Sequence, residues 1–245
     1  MDRRIGAHPF VVAFRHAVTP QMTILAIDTA LAACSVAIAD GERTVSRIVP
    51  MARGHAEVLM PLVAEVLADA GIGYDAIDRF AVTIGPGTFT GVRVGVAAVR
   101  GMALATGRPA IGVSTLEAIA ATHVAAGRPA APFAVAMDAR REEVYAQVFS
   151  ADGAPLDDAR AVAVDVLAAG LAADVGAVVG TAGGLLAEAA LRLGRSVVPT
   201  AAIGWPDPVA LARLAAVRQP ARAPAPLYLR APDARPQTTA RLARA

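Results

Sequence analysis

Lysine is absent from this 245-residue chain, and all 23 basic residues are arginine. That absence excludes a phosphate-loop lysine, a Schiff-base lysine and a lysine general base. A single cysteine, Cys34, excludes an intramolecular disulfide framework and fits a reducing cytoplasm. Histidine is scarce: only His55 and His123 lie beyond the first 21 residues, and neither has another histidine at helical ligand spacing. His55 reads as a helix-start residue and His123 as a surface one. Ser35, Ser46 and Ser114 have no histidine in a sequence context that would make a nucleophilic triad. No apolar run reaches the roughly 20 residues of a membrane span, so a soluble protein is expected. The net charge of +2 is too small for the whole molecule to act as an electrostatic trap for nucleic acid.

What is present centres on Gly85 to Gly95, read GPGTFTGVRVG. Phe80 to Ile84 before it reads as a buried strand, and the segment after it reads as a helix to about Gly107. Gly85, Pro86, Gly87 and Gly91 shape a tight strand-to-helix turn with Thr90 as the expected N-cap. Free N–H groups at such a helix start could hold a phosphate or carboxylate. Gly91, Gly95, Ala98, Gly101 and Ala105 recur at helical spacing, although each glycine costs about 1 kcal/mol of helix stability. A seam this small serves either a close docking face or a helix pressed against its own sheet.

Taken in order, residues 1–21 are expected to be a disordered extension, with Met22 the natural start, since Arg3, Arg4, Arg15 and Pro20 break any secretory pattern. TILAIDT, CSVAIAD and RTVSRIV are three strand candidates, followed by a helix from about His55 to Ala70 in which Pro61 predicts a kink or a late start. Then come the strand Phe80 to Ile84, the central helix, a strand at Ala110 to Val113 and a helix from Thr115 to about Ala125. The order βββαβαβα predicts a mixed sheet with helices packed on it. Pro129 and Pro132 mark a lobe boundary, giving a first lobe over 22–127 and a second, abbreviated lobe over 128–230. In the second, FAVAMDA and EVYAQVFS pair as a hairpin, a weaker alanine-rich stretch follows, and then come the strand GAVVG and a helix from Leu185 to Leu193. Residues 231–245 are expected to be disordered.

Strand pairs carrying an aspartate at the end of the first strand, Asp28 and Asp138, open both halves. In two-lobed phosphotransferases such aspartates meet nucleotide phosphates and magnesium beside a flexible glycine or serine turn. Here neither Asp28 nor Asp138 is followed by a glycine. Gly180, Gly183 and Gly184 stand where an adenosine-binding turn would lie, yet an ordinary strand-to-helix connection needs the same residues. An ATP-binding kinase or hydrolase and a glycoprotease-like peptidase are the alternatives to a chain without chemistry of its own.

The segments TILAIDTA, MARGHAEVLMP, GPGTFTGVRVG, GVSTLEAI and PLYLR together resemble the TsaB (YeaZ) family, colinearly from Thr23 to about Arg230. The resemblance implies a two-lobed actin-like, Hsp70-like and sugar-kinase-like α/β fold and a cytoplasmic role in forming threonylcarbamoyladenosine on tRNA. It further implies a non-catalytic paralogue of TsaD that binds and activates a TsaD-type catalytic subunit together with a TsaE-type ATPase, meeting tRNA only through the complex. Where TsaD-type proteins place two metal-binding histidines, in a segment like VNHLEAH, this chain reads VSTLEAI, with Thr115 and Ile119 at the ligand positions. MARGH, ending at His55, resembles the ASRxH element of the same paralogue. No catalytic, cofactor or metal residue is therefore expected. The partner face implied is the helix after His55 and the helix after Thr90, through Leu59, Leu62, Val66, Val92, Arg93, Val96, Val99 and Arg100. Such a face buries about 1,200–2,000 Å² in a stable complex and could pair with a second copy as a homodimer.

Overall fold

The computed structural model describes residues 22–41, 43–127, 129–199 and 203–230; the expectations for residues 1–21 and 231–245 lie outside them. The chain opens with β1 (Thr23–Asp28), β2 (Ala33–Asp40) and β3 (Arg43–Pro50), followed by α1 (His55–Ala70), β4 (Arg79–Thr83), α2 (Phe89–Thr106), β5 (Ala110–Val113) and α3 (Thr115–Gly127). The first sheet runs β3-β2-β1-β4-β5, antiparallel across its first three strands and parallel from β1 to β5. β1 and β4 are central and apolar on both faces, whereas β3, at the edge, is mostly exposed and carries arginines outward.

The second half continues with β6 (Phe133–Asp138), β7 (Glu143–Phe149), β8 (Arg160–Ala163), α4 (Val164–Gly170), β9 (Ala177–Val179), α5 (Gly183–Arg192), β10 (Val198–Pro199) and α6 (Pro208–Ala216). Its sheet, β8-β7-β6-β9-β10, repeats the first strand for strand, with the same change from antiparallel to parallel at β6. The duplication expected from Asp28 and Asp138 is thus present. β8, α4, β10 and α6 are additions to the elements read from the sequence.

Leu59, Leu62, Val63, Val66 and Leu67 of α1 fall at the spacing of one helical face and pack on the first sheet, with the helix running through the exposed Pro61. Gly71, in the left-handed conformation, ends it. α2 begins two residues earlier than expected. Thr88, not Thr90, is the N-cap: it is extended at φ −67° and ψ 136°, and its hydroxyl accepts the Gly91 N–H. Thr90 lies inside the first turn, exposed.

The small-residue seam of α2 divides in two. A Cβ on Gly91 would lie 2.1 Å from the Thr29 carbonyl oxygen, and one on Gly95 would lie 2.5 Å from Thr29 Oγ1, so this half is pressed against β1. Gly101 meets nothing within 4 Å, and Ala105 is exposed, so the other half faces outward.

The same burial corrects the expected partner face. Leu59, Leu62, Val66, Val92, Val96 and Val99 are all buried in the chain's own core between α1, α2 and the first sheet, leaving only Arg93 and Arg100 of that set exposed. A stripe of apolar residues at helical spacing serves an internal sheet as well as an external partner, and here the sheet takes it.

α3 ties the two sheets together. Ala118 faces the first, while Leu116, Ile119 and Ala120 pack on Phe133 and Phe149 of the second. Its first turn is closed reciprocally: Glu117 accepts the Ser114 N–H at 3.1 Å, and Ser114 Oγ accepts the Glu117 N–H at 3.1 Å. α6 then returns across the lobe boundary placed at residue 128 and covers the rear of the first sheet, with Leu211, Ala212 and Ala215 against Ile24, Ala26, Ala39 and Ala81. The buried Arg79 fastens it, Nη1 donating to the carbonyls of Ala215, Ala216 and Arg218 at 2.8, 3.1 and 2.7 Å. These are the carbonyls that a helix end leaves without partners.

Two glycine substitutions in α2 should therefore act in opposite directions. Gly91→Ala drives a methyl into the Thr29 carbonyl and should cost at least about 2 kcal/mol. Gly101→Ala, in open space, should gain up to about 1 kcal/mol. Urea titration of both variants checks the sign of each.

Candidate functional site

Three backbone segments meet at the ends of β1 and β4. Thr29 Oγ1 donates to the Gly91 carbonyl at 2.7 Å, and the Thr88 N–H donates to the Ala30 carbonyl at 2.8 Å. A Cβ on Gly87 would lie 2.4 Å from that same Ala30 oxygen. Gly85, at φ 104°, precedes a cis Pro86 and passes beneath the Leu227 carbonyl. Gly85, Pro86, Gly87, Gly91 and Gly95 are thus brought together, around Thr29 and Ala30. The Gly91 N–H, at the helix start where an anion was expected to fit, already donates to Thr88 Oγ1.

Asp28 lies beneath this turn, fully buried. Its Oδ1 accepts from Thr83 Oγ1 at 2.5 Å and from the Ala30 N–H at 3.2 Å; Oδ2 has no partner in the structure. Ser35, its cross-strand neighbour, is buried with an unpartnered hydroxyl. Burial pushes the Asp28 carboxyl up to about 6, against the lowering effect of those two hydrogen bonds. Cys34 is pushed up to about 11, by burial first and by the Asp28 charge second.

Asp138, the equivalent residue in the second lobe, is exposed and spends Oδ1 on the Arg140 N–H. Thr115 is buried with Oγ1 unpartnered, and Ile119 is a core residue against the second sheet. Among the described residues no group of three or more His, Cys, Asp and Glu side chains is placed to hold a metal ion. His55 starts α1 with Nε2 3.1 Å from the Leu31 carbonyl. His123 is half-buried rather than on the surface, with its ring edge-on to Phe133 at 4.8 Å; burial lowers its pKa.

The outward side of α2 is a stripe of Phe89, Arg93, Ala97, Arg100 and Leu104, at intervals of three and four residues. Phe89 is 60% exposed and Leu104 85%, the latter the most open large apolar side chain among the described residues. The Arg93 guanidinium stacks 3.5 Å over the Phe89 ring, and its Nε donates to the Tyr228 hydroxyl at 3.0 Å.

Tyr228 belongs to the last described segment, 218–230, which crosses both lobes. Arg218 pairs with Glu117, the Leu227 N–H donates to the Ile84 carbonyl at 2.7 Å, and Arg230 bonds the Ala139 carbonyl at 3.1 Å and pairs with Glu143. Burial alone would raise the Glu117 carboxyl, but the hydrogen bonds and charge of Arg218 and the bonds from Ser114 outweigh it and hold the group below its ordinary value. Phe89, Leu104 and Tyr228 were missing from the residues singled out in the sequence. The available signal was composition: the chain has only three tyrosines, and two of them, Tyr145 and Tyr228, border the small cleft beside Phe89.

Two sheets of identical strand order, joined by a helix and crossed by the C-terminal segment, define a duplicated α/β protein of the actin-like and sugar-kinase-like class. A family model described as TsaD, tRNA N6-adenosine threonylcarbamoyltransferase, matches residues 46–217. An uncharacterised protein of Mycobacterium tuberculosis is 36% identical over 220 residues, covering 87% of this chain and 94% of that one. YeaZ from Pseudomonas aeruginosa superposes with a TM-score of 0.74 at 30% identity, over 85% of this chain and all of that one. The tRNA threonylcarbamoyladenosine biosynthesis protein TsaB of Haemophilus influenzae is 40% identical over 126 residues, covering 51% of this chain and 52% of that protein. The chain belongs to the TsaB (YeaZ) family, within the wider group that the TsaD model describes. It spans about half the length of the curated relatives named TsaB that it matches.

The buried Asp28 makes a pH-dependent prediction. Its folded-state pKa, about 6, lies above the ordinary 3.8, so the folded chain holds this proton more tightly. The stability it contributes is present below the ordinary value and is lost as pH rises through about 6. Asp28→Asn should stabilise the chain by up to about 3 kcal/mol at pH 7.5, and by about half that at pH 5. Thermal unfolding of both proteins across that range measures it.

Proposed function

We propose that the chain is a non-catalytic subunit in the formation of N6-threonylcarbamoyladenosine on tRNA, binding and activating a TsaD-type catalytic subunit together with a TsaE-type ATPase. The observation that carries this reading is the outward stripe of α2. Phe89, Arg93, Arg100 and Leu104 stand in solvent on a helix whose other side is rigidly seated on the sheet. A helix fixed in this way presents its contact residues without an ordering cost, and aromatic and arginine side chains are the usual anchors of a protein interface.

The strand-end site supports the same reading. The Asp28 carboxyl is enclosed by Thr83 and the Ala30 backbone, and Ile119, where the family resemblance implies a metal ligand of the catalytic paralogue, is a core residue. The chain acts by binding one conformation of its partner better than another, which raises the population of that conformation. tRNA is reached through the assembled complex, in the cytoplasm. No helix among the described residues is long and apolar enough to cross a membrane. Without the partner, the same stripe can meet its copy across a two-fold axis as a homodimer.

Leu104→Asp and Arg93→Glu should each weaken co-purification with the cognate TsaD-type protein by about tenfold or more while leaving the circular dichroism spectrum unchanged. Reconstituted tRNA modification should require the chain and fall with the same variants. Modification that proceeds equally well without the chain, or turnover by the chain alone, overturns the proposal.

A further inference from the structure

A cavity lies away from the strand-end site, between the C-terminal half of α2 and residues 220–224. Its volume is about 510 Å³, within the range of small-molecule sites. Its apolar lining is the exposed Leu104 on the helix side, Pro109 just before β5, and Pro224, which packs against the Gly112 backbone position.

Every charged residue in the lining is an arginine: Arg100, Arg108 and Arg222. Among the described residues Arg108 pairs only with Asp78, at 3.8 Å with both side chains about half exposed, and such a pair is worth little. Arg100 and Arg222 make no hydrogen bond or ion pair with any described residue. Three cations around one apolar hollow, all of them exposed, repel one another. An anion between them reverses that sign. Guanidinium groups present paired N–H donors that match phosphate oxygens, and three positive charges suit more than one phosphate. The proline and leucine walls suit a flat ring beside them.

We propose that this cavity binds a nucleoside diphosphate, with its phosphates among Arg100, Arg108 and Arg222 and its base against Leu104 and Pro109. Occupancy would add no new bond and needs no metal. Arg100 and Leu104 border both this cavity and the outer stripe of α2, so a bound nucleotide would sit at the margin of the face offered to a partner.

Calorimetric titration of the full chain with ADP, pyrophosphate and adenosine, without magnesium, tests the site. ADP should bind saturably, pyrophosphate more weakly and adenosine not measurably. Raising salt from about 50 to 300 mM should weaken ADP binding. Arg222→Glu, and the Arg108→Glu/Arg222→Glu pair, should lower ADP affinity by about tenfold or more with the unliganded melting temperature unchanged. Asp28→Asn should leave ADP affinity intact, which separates this cavity from the strand-end site. The proposal fails if ADP shows no saturable binding below about 5 mM, if adenosine binds as well as ADP, or if the arginine reversals change nothing. It also fails if those reversals affect only capture of a TsaD-type protein, since the hollow would then be a protein contact. Loss of ADP binding with capture intact, or the converse, keeps the nucleotide site and the partner role distinguishable.

Discussion

Three missing side chains set the geometry of this molecule. At Gly87, Gly91 and Gly95, a methyl group would occupy the space of the Ala30 carbonyl, the Thr29 carbonyl and the Thr29 hydroxyl respectively. Their absence lets the start of α2 descend onto the end of β1 until backbone bonds backbone. The glycines cost helix stability, and the close fit offsets it. Once α2 is seated there, Val92, Val96 and Val99 fall inward, and Phe89, Arg93 and Leu104 are held outward. Core and exposed stripe are two sides of one placement.

The two lobes share strand order but have diverged at the strand ends. In the first, Asp28 is walled in by Thr83, Ser35 and the glycine turn, so its charge is costly. In the second, Asp138 lies in water beside a turn whose residues Arg140, Arg141 and Glu142 are all left-handed, with φ of 63°, 57° and 61°. Non-glycine residues rarely adopt that conformation. Arg230 bonds the backbone at Ala139 and pairs with Glu143, bracketing the turn from the C-terminal segment. With one aspartate closed in and the other open, the two strand ends no longer mirror each other.

Much of this was legible in the sequence. The alternation and length of TILAID, ACSVAIAD and RTVSRIVP, and the periodicity of α1 and α2, have local physical causes and fall close to where they were expected. The aspartate-ended hairpins gave away the duplication. What was not legible depends on distance. α6 is a short alanine-rich helix whose reason to exist is the far-off rear of the first sheet and the Arg79 guanidinium. Leu59, Leu62 and Val96 were assigned outward because helical periodicity reports that a face is buried without saying by what. Thr88 and Thr90 flank the same helix start, and only backbone angles distinguish the cap. Leu104, one apolar residue on a helix rich in them, carries no mark in the sequence of its exposure.

The hold of Arg79 on α6 spans 136 residues of chain. During synthesis the first sheet emerges well before the helix that covers Ile24, Ala26, Ala39 and Ala81. Until the ribosome has released residue 216, that apolar face stays bare, and a guanidinium destined for the interior has no carbonyls to receive it. The opening lobe is therefore incomplete until the second has been made, which is the interval when a holding chaperone has the most surface to grip.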